Sequence, residues 1–286
     1  MSAINEQKER IEDVEAARYI TGTMRDISAI TLSRLMKRFD QNTMFYTELT
    51  SLYQLVWSIA QERGAIPPRS ANERRLLVAY TTNRHFYGAL NANTVRELRS
   101  RVGSEDEVLI VGDTGRQLWG DRGKKKTQFL SFVGDDPTED EVHSFLEAVE
   151  HYDRVEVLYP KFVSVFVQQV DSIDISFRPE DDTPVADVDS AMPQFLLEPD
   201  VQEMIKFFNK QVRYALLERI LLESQLSRVS ARLVKMDTAD QNAQDMLRLE
   251  HINLRRAYKG IASRQMLETL VGFIQWHNTR RQPIVR

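Results

Sequence analysis

The chain has 286 residues, of which 42% are hydrophobic and 28% charged, and this composition excludes a disordered or collagen-like protein. With Lys+Arg 38 against Asp+Glu 42 the formal net charge is -4, so no strong overall field draws the chain to nucleic acid or anionic lipid. The absence of cysteine excludes a disulfide framework, a thiolate nucleophile and a cysteine zinc site. No apolar run approaches the roughly 18 residues of a membrane-spanning helix, and residues 1–10 lack a signal-like core. We therefore expect a cytoplasmic protein without a targeting segment.

Glycine and proline, which interrupt regular structure, are distributed unevenly. Between residues 2 and 63 the only one is Gly22, and between 201 and 282 they are Gly260 and Gly272. Each terminal segment is therefore predicted to be one very long helix or two nearly collinear helices.

The predicted terminal helices are too long to fold inside a compact body. At a rise of 1.5 Å per residue they span about 80 Å and about 120 Å, whereas a compact chain of this length has a radius of gyration of about 19 Å. Their apolar faces are expected to pair with each other as an antiparallel coiled coil. The residues predicted to form the seam are Ile4, Ile11, Val14, Ala17, Ile20, Met24, Ile27 and Leu35 in the first helix, with Leu217, Ile220, Ser224, Ser227, Ala231, Val234, Leu247, Leu254 and Ile261 in the second.

The middle of the chain alternates apolar β-branched runs with helical patterns, which favours a small, mostly parallel sheet. Strands are predicted at 76–80, 108–111, 129–133, 154–159 and 163–170, and helices from about residue 91 or 93 and over 138–151. The predicted fold is thus a long antiparallel coiled coil of the N- and C-terminal helices with an inserted Rossmann-like α/β domain. Its predicted parts are residues 1–63, the N-terminal coiled-coil helix; 64–199, the α/β domain; and 200–286, the C-terminal coiled-coil helix and tail.

The sequence contains no catalytic constellation. The segment from Gly115 to Asp121 lacks the lysine of a phosphate-binding loop, and Lys124 to Lys126 belong to a basic loop. Asp113, which opens an Asp-Thr-Gly triplet, is interpreted as a turn former. We therefore predict no catalytic residue, cofactor or metal site.

Several short segments follow one another in a fixed order along the chain. They are Glu9-Arg10-Ile11 with Val14, Ile20-Thr21 and Met24; Thr82, Arg84, Gly88 and Asn91; Tyr159 to Ser164; Phe195 to Pro199; and Leu222 to Ser224 followed by Ser227, Arg232, Met236-Asp237, Ala239, Asn242-Ala243 and Asn253. In order and spacing this set resembles the gamma subunit of F-type ATP synthases.

The resemblance implies a non-catalytic central-stalk subunit that rotates inside a head of alpha and beta subunits. Rotation would couple ion translocation to ATP synthesis or hydrolysis. The implied partners also include an epsilon-type subunit and the ring of c subunits, and the implied location is peripheral, at the cytoplasmic face of a bacterial cell membrane. No nucleic acid is expected to bind.

The resemblance also assigns roles to individual residues. The candidates for polar contacts with acidic loops of the beta subunit are Arg10, Arg255 and Arg256. The candidates for the bearing inside the head, or for the coiled-coil seam, are Ile11, Val14, Met24, Ile261 and Leu267.

Some positions depart from the family pattern. Asn83, His85 and Phe86 alter a glycine-rich segment, Ala257 stands where the family has glutamine, and the tail from Phe273 runs past the usual end. These departures indicate a divergent or alternative F-type complex.

Three other functions stay open. The chain is alternatively the shaft of a specialised F-type-like ATPase not used for ATP synthesis, or a stand-alone coiled-coil adaptor. The third is an enzyme that acts through the α/β domain, at Asp113 or at the loop from Lys124 to Lys126.

Overall fold

The computed structural model describes residues 2–64, 74–83, 87–120, 126–134, 137–176 and 200–280. Its elements, in chain order, are α1 (Ser2–Glu62), β1 (Arg75–Tyr80), α2 (Leu90–Arg101), β2 (Glu107–Val111), α3 (Asp113–Trp119), β3 (Thr127–Leu130), α4 (Glu139–Val149), β4 (Arg154–Phe162), β5 (Gln168–Asp174) and α5 (Val201–Arg280).

Each terminal segment is a single unbroken helix. α1 has 61 residues and α5 has 80, and both continue through their glycines. A glycine inside a helix costs roughly 0.5–1 kcal/mol relative to alanine, a penalty that a long run of helix-forming neighbours outweighs. The predicted long terminal helices are confirmed, and each segment forms one helix rather than two collinear ones.

Contacts divide the chain into two compact units. Unit 1 consists of Met1–Asp26 and Lys235–Arg286, and unit 2 is Ile27–Val234. In unit 2, α1 and α5 are antiparallel: the Asn42 amide donates to Glu218 (3.1 Å), and the Tyr53 hydroxyl donates to Asn209 further along α1.

One set of covered residues in α1 recurs at alternating steps of three and four, which is the spacing of a left-handed coiled coil. They are Ile4, Gln7, Ile11, Val14, Arg18, Thr21, Arg25, Ser28, Leu32, Leu35, Phe39, Asn42, Tyr46, Leu49, Tyr53, Val56 and Ala60. The seam thus keeps its spacing through polar residues as well as apolar ones.

The predicted seam of α1 is partly wrong. Ala17, Ile20 and Ile27 are exposed, Ile20 and Ile27 each at 58%. Their places in the seam belong to Arg18, Thr21 and Ser28, because the heptad spacing continues regardless of polarity.

The sheet has the strand order β3-β2-β1-β4-β5. β1, β2, β3 and β4 are parallel, and only β5 is antiparallel, to β4. The predicted mostly parallel sheet is confirmed.

Two strands are displaced from their predicted positions. β3 ends at Leu130 because its partner β2 ends at Val111. β5 begins only at Gln168, because the backbone N–H groups of Val163 and Ser164 both donate to the Val167 carbonyl and form a tight hairpin turn. A third correction concerns Asp113, which is the first residue of α3 rather than a turn residue.

Helices cover both faces of the sheet. One face packs against α2 and α3 through a core of Leu77, Ala79, Val95, Leu98, Val108, Ile110, Trp119 and Leu158. The other face packs against α4 and α5, where Val142 and Phe145 meet Leu217 and Ile220. The last helix therefore completes the core of the sheet as well as the seam.

Candidate functional site

The three candidate arginines all lie on the outside of unit 1. Arg10 pairs with Glu6 on its own helix (2.8 Å), and its side chain is 55% exposed. Such a pair stabilises a helix by about 0.2–0.5 kcal/mol, so a partner's carboxylate can replace Glu6 at little cost. Arg255 and Arg256 are exposed, and neither forms an ion pair with another described residue.

The five apolar candidates occupy three kinds of environment. Ile11 is buried at 7% exposure, whereas Val14, Met24 and Ile261 are half-buried. Leu267 is 62% exposed. The structure thus brings Ile11 and Val14 into the seam and leaves Leu267 outside it.

Leu267 belongs to a run of exposed apolar side chains at the end of α5. The run comprises Met266, Leu267, Leu270, Val271, Phe273, Ile274 and Trp276. Large apolar surfaces exposed together mark sites of interaction with another protein or a membrane. This end of the helix is therefore a candidate contact surface, with the aromatic rings of Phe273 and Trp276 centred 6.3 Å apart.

The carboxyl end of the sheet is the place where a ligand enters folds of this type. Here the protein itself fills the ends of β1 and β2. The Thr81 hydroxyl donates to the Val111 carbonyl, and the Asn91 amide donates to the Thr82 hydroxyl (2.8 Å). A Cβ atom added to Gly115 of α3 would lie 2.2 Å from Thr81 Oγ1.

The two positions named for an enzymatic function show no catalytic arrangement among the described residues. The backbone N–H of Asp113 donates to Asn83 Oδ1 (3.0 Å), and Lys126 pairs with the exposed Glu105 (3.0 Å). Lys124 and Lys125 lie outside the described residues. In the part of the chain that the structure describes, no group of three His, Asp or Glu side chains is placed to hold a metal ion.

A buried polar pair joins the sheet to α5. The Tyr159 hydroxyl donates to Glu223 Oε2 (2.9 Å), and these residues are 0% and 5% exposed. Burial raises the pKa of Glu223, although the Tyr159 hydrogen bond and nearby cations oppose it. One turn along, the Ser227 hydroxyl donates to the Lys161 carbonyl (3.0 Å).

A second buried carboxylate, Glu156 of β4, connects the sheet to α2. It accepts hydrogen bonds from Arg75 and Arg101, each at 2.7 Å. Burial alone would raise the pKa of Glu156, but hydrogen bonds from Arg75, Ser172 and Arg101 outweigh it and lower the pKa. Sequence reasoning missed this carboxylate and the Tyr159–Glu223 pair, because their partners are distant in sequence. The one available signal was the charged Glu156 within an otherwise apolar strand, which indicates a buried charge.

A family model described as ATP synthase matches residues 3–261 of this chain. The chain belongs to the ATP synthase gamma family. The "ATP synthase gamma chain" of Halothermothrix orenii is 24% identical to it, with 95% of this chain and 98% of the relative covered. The gamma chain of Cytophaga hutchinsonii is 25% identical, with the same shares covered. The resemblance inferred from the short segments is thereby confirmed.

Solved structures of ATP synthases share the fold. A chain in the OSCP/F1/c-ring structure of the Euglena gracilis mitochondrial ATP synthase matches with a TM-score of 0.69 at 17% identity, covering 100% of this chain and 98% of that one. A chain of the central stalk and c-ring of the Tetrahymena thermophila enzyme gives a TM-score of 0.59 at 17% identity, covering 77% and 99%. The predicted fold class is confirmed. No helix within the described ranges of this gamma-family chain has the length and apolarity to cross a membrane.

Proposed function

We propose that this chain is the central-stalk gamma subunit of an F-type ATP synthase or ATPase, and that it rotates inside a head of alpha and beta subunits. The observation that carries the proposal is the family match over residues 3–261, which spans both the helix pair and the sheet. The exposed apolar end of α5 supports it further, because such a surface needs cover from another protein.

The proposed mechanism is a difference in contact energy. An asymmetric shaft inside a threefold head contacts each beta subunit differently and so favours a different conformation at each nucleotide site. Only a difference in free energy between the conformations can shift their populations. To shift the ratio of two conformations at a nucleotide site from 1:99 to 99:1 takes about 5.5 kcal/mol. Several charge-assisted contacts, such as those proposed for Arg10, Arg255 and Arg256, supply this free energy together.

The subunit itself is proposed to be non-catalytic. The packing at the strand ends around Thr81 supports this, since the Thr81 side chain and the backbone at Gly115 occupy space where this fold ordinarily binds a ligand. An epsilon-type subunit and the c-subunit ring are the further proposed partners, and the complex is proposed to lie at the cytoplasmic face of a bacterial membrane, with this chain peripheral to it.

The alternative within the family is the shaft of a specialised F-type-like ATPase not used for ATP synthesis. Ala257 at a family glutamine position and the tail from Phe273 onwards favour it. The direction of coupling and the ion depend on other subunits, so both forms predict the same behaviour of this chain in the head.

Co-expression of the tagged full chain with the alpha and beta chains of its own genome tests the proposal. We expect all three to elute as one complex that hydrolyses ATP, with the alpha and beta chains alone as the control. A tagged chain that recovers neither alpha nor beta would instead favour the adaptor.

A further inference from the structure

The seam of unit 1 contains few apolar contacts. Of the side chains the structure describes there, the buried apolar ones are Ile11, Met236 and Leu247. A heptad spacing runs through the covered residues of α5, and the residues that follow it are Met236, Asp240, Ala243, Leu247, Glu250, Leu254, Ala257 and Ile261. An acidic residue, Asp240, therefore occupies a seam position. Such thin packing specifies the alignment of two helices weakly.

The Asp240 carboxylate contacts two arginines of α1. Its Oδ1 lies 3.4 Å from Arg18 Nε, and its Oδ2 lies 3.1 Å from Arg25 Nη1. The Asp240 side chain is only 16% exposed. Arg25 also reaches Asp237 Oδ1 (3.8 Å) and its neighbour Asp26 (3.0 Å), so the contacts form a network rather than an isolated pair.

Gly22 of α1 makes room for this carboxylate. A Cβ atom at Gly22 would lie 3.7 Å from Asp240 Oδ1, so the carboxylate rests against the helix where no side chain projects. Arg18 precedes Gly22 by four residues and Arg25 follows it by three, which places both on the same face of α1. The result is a socket with a glycine floor and an arginine on either side.

We propose that Asp240, seated in this socket, holds α1 and α5 together in register in unit 1. This pairing keeps the α1 residues beside the α5 candidates Arg255 and Arg256. The significance for torque rests on the proposed function, since a helix pair that separates cannot hold contact residues in place.

Separation of the two helices at this point would break the contacts of Asp240 with Arg18 and Arg25. A network of several charges contributes more than an isolated exposed ion pair, so its loss weakens the pairing of α1 with α5 in unit 1.

The absence of cysteine makes the register directly measurable. Cysteines introduced at the exposed positions Glu9 and His251 carry spin labels, and pulsed electron resonance gives the distance distribution in the full-length chain. We expect one narrow distribution with the native Asp240. Asp240→Asn is expected to broaden the distribution toward longer distances, because the two arginines of α1 lose the carboxylate that holds them to α5. The distance distribution of the native chain is expected to broaden likewise in 1 M salt, because salt screens partly exposed ion pairs.

The matched control is Asp245→Asn, since Asp245 is exposed and pairs with Arg248 on its own helix. It is expected to leave the distribution unchanged. Arg18→Gln is the milder second variant, should Asp240→Asn lower the helix content. A distribution that stays narrow in Asp240→Asn and Arg18→Gln, and at high salt, would overturn the proposal and assign the register to the apolar seam. Because the distance is measured on the chain alone, this outcome is independent of whether the chain assembles with alpha and beta subunits.

Discussion

Glu223 makes the stability of unit 2 depend on pH. Because burial raises its pKa above the ordinary 4.5, the folded chain keeps a proton that the unfolded chain has released. The stability from this group is therefore fully present below pH 4.5 and is lost as the pH rises through the folded pKa. Glu223→Gln cannot ionise. We expect its thermal midpoint to rise relative to the native chain as the pH increases above 4.5.

Two comparisons isolate this effect. Glu147→Gln, at an exposed position of α4, is the control and should show a constant difference from the native chain across the same range. A constant difference for Glu223→Gln as well would mean that Glu223 binds its proton alike in both states, and would contradict the assignment.

Arg256 is the residue whose change should affect coupling most directly. Arg256→Glu places a negative charge opposite the acidic loop of the beta subunit that Arg256 is proposed to contact. A charge-assisted hydrogen bond contributes about 1.5–3 kcal/mol, so coupled ATP hydrolysis in the assembled complex should fall on the order of tenfold or more. Arg96→Glu, exposed on α2, should leave it unchanged. Native turnover and torque in Arg256→Glu would remove this residue from the contact set.

At the same scale, the seam shows what can be predicted from individual side chains. Hydrophobicity correctly identified Ile11 and Val14 as seam residues. It wrongly assigned Ile20 and Ile27 to the seam, since both are exposed. Extending the three–four spacing from Ile4 would have found Arg18 and Arg25 without further information. Their partner Asp240 could not be found in this way, because nothing local in the sequence aligns two helices more than 200 residues apart.

At the scale of elements, long patterned segments were predictable and short ones were not. The absence of glycine and proline over long segments predicts α1 and α5. Continuous apolar runs predict β1 and β2. α3 has seven residues, too few for a periodic pattern, and its Asp-Thr-Gly start resembles a turn. Its position was therefore missed, although it packs against α2 and β2.

The filled sheet end leads to a prediction about two glycines. Gly115→Ala would place Cβ 2.2 Å from Thr81 Oγ1 and 2.8 Å from Ile110 Cγ2, and Thr81 is held by its hydrogen bond to Val111. Overpacking of this kind costs about 1–3 kcal/mol, more than the roughly 0.5–1 kcal/mol that alanine gains in a helix. Gly260→Ala, with nothing within 4 Å, should be stabilising instead.

Urea unfolding followed by circular dichroism measures both changes. We expect the two variants to move the unfolding midpoint in opposite directions. Equal stabilisation by Gly115→Ala and Gly260→Ala would contradict the tight packing of Gly115 against Thr81.

At the scale of the whole molecule, one helix serves two structural roles. α5 supplies Leu217 and Ile220 to the core of the sheet in unit 2 and Leu247 to the seam of unit 1. One helix thus takes part in the packing of both units. The sequence predicted both the helix and the sheet, but not that they share a core, because packing between distant segments leaves no local pattern.

The most direct test of the central claim is to observe rotation. A probe attached to Arg96→Cys, the sole cysteine of the otherwise cysteine-free chain, is followed in single complexes whose alpha and beta subunits are fixed to a surface. We expect stepwise rotation in one direction that requires ATP and ceases when ATP is exhausted. ATP hydrolysis by the assembled complex with a stationary probe would contradict it.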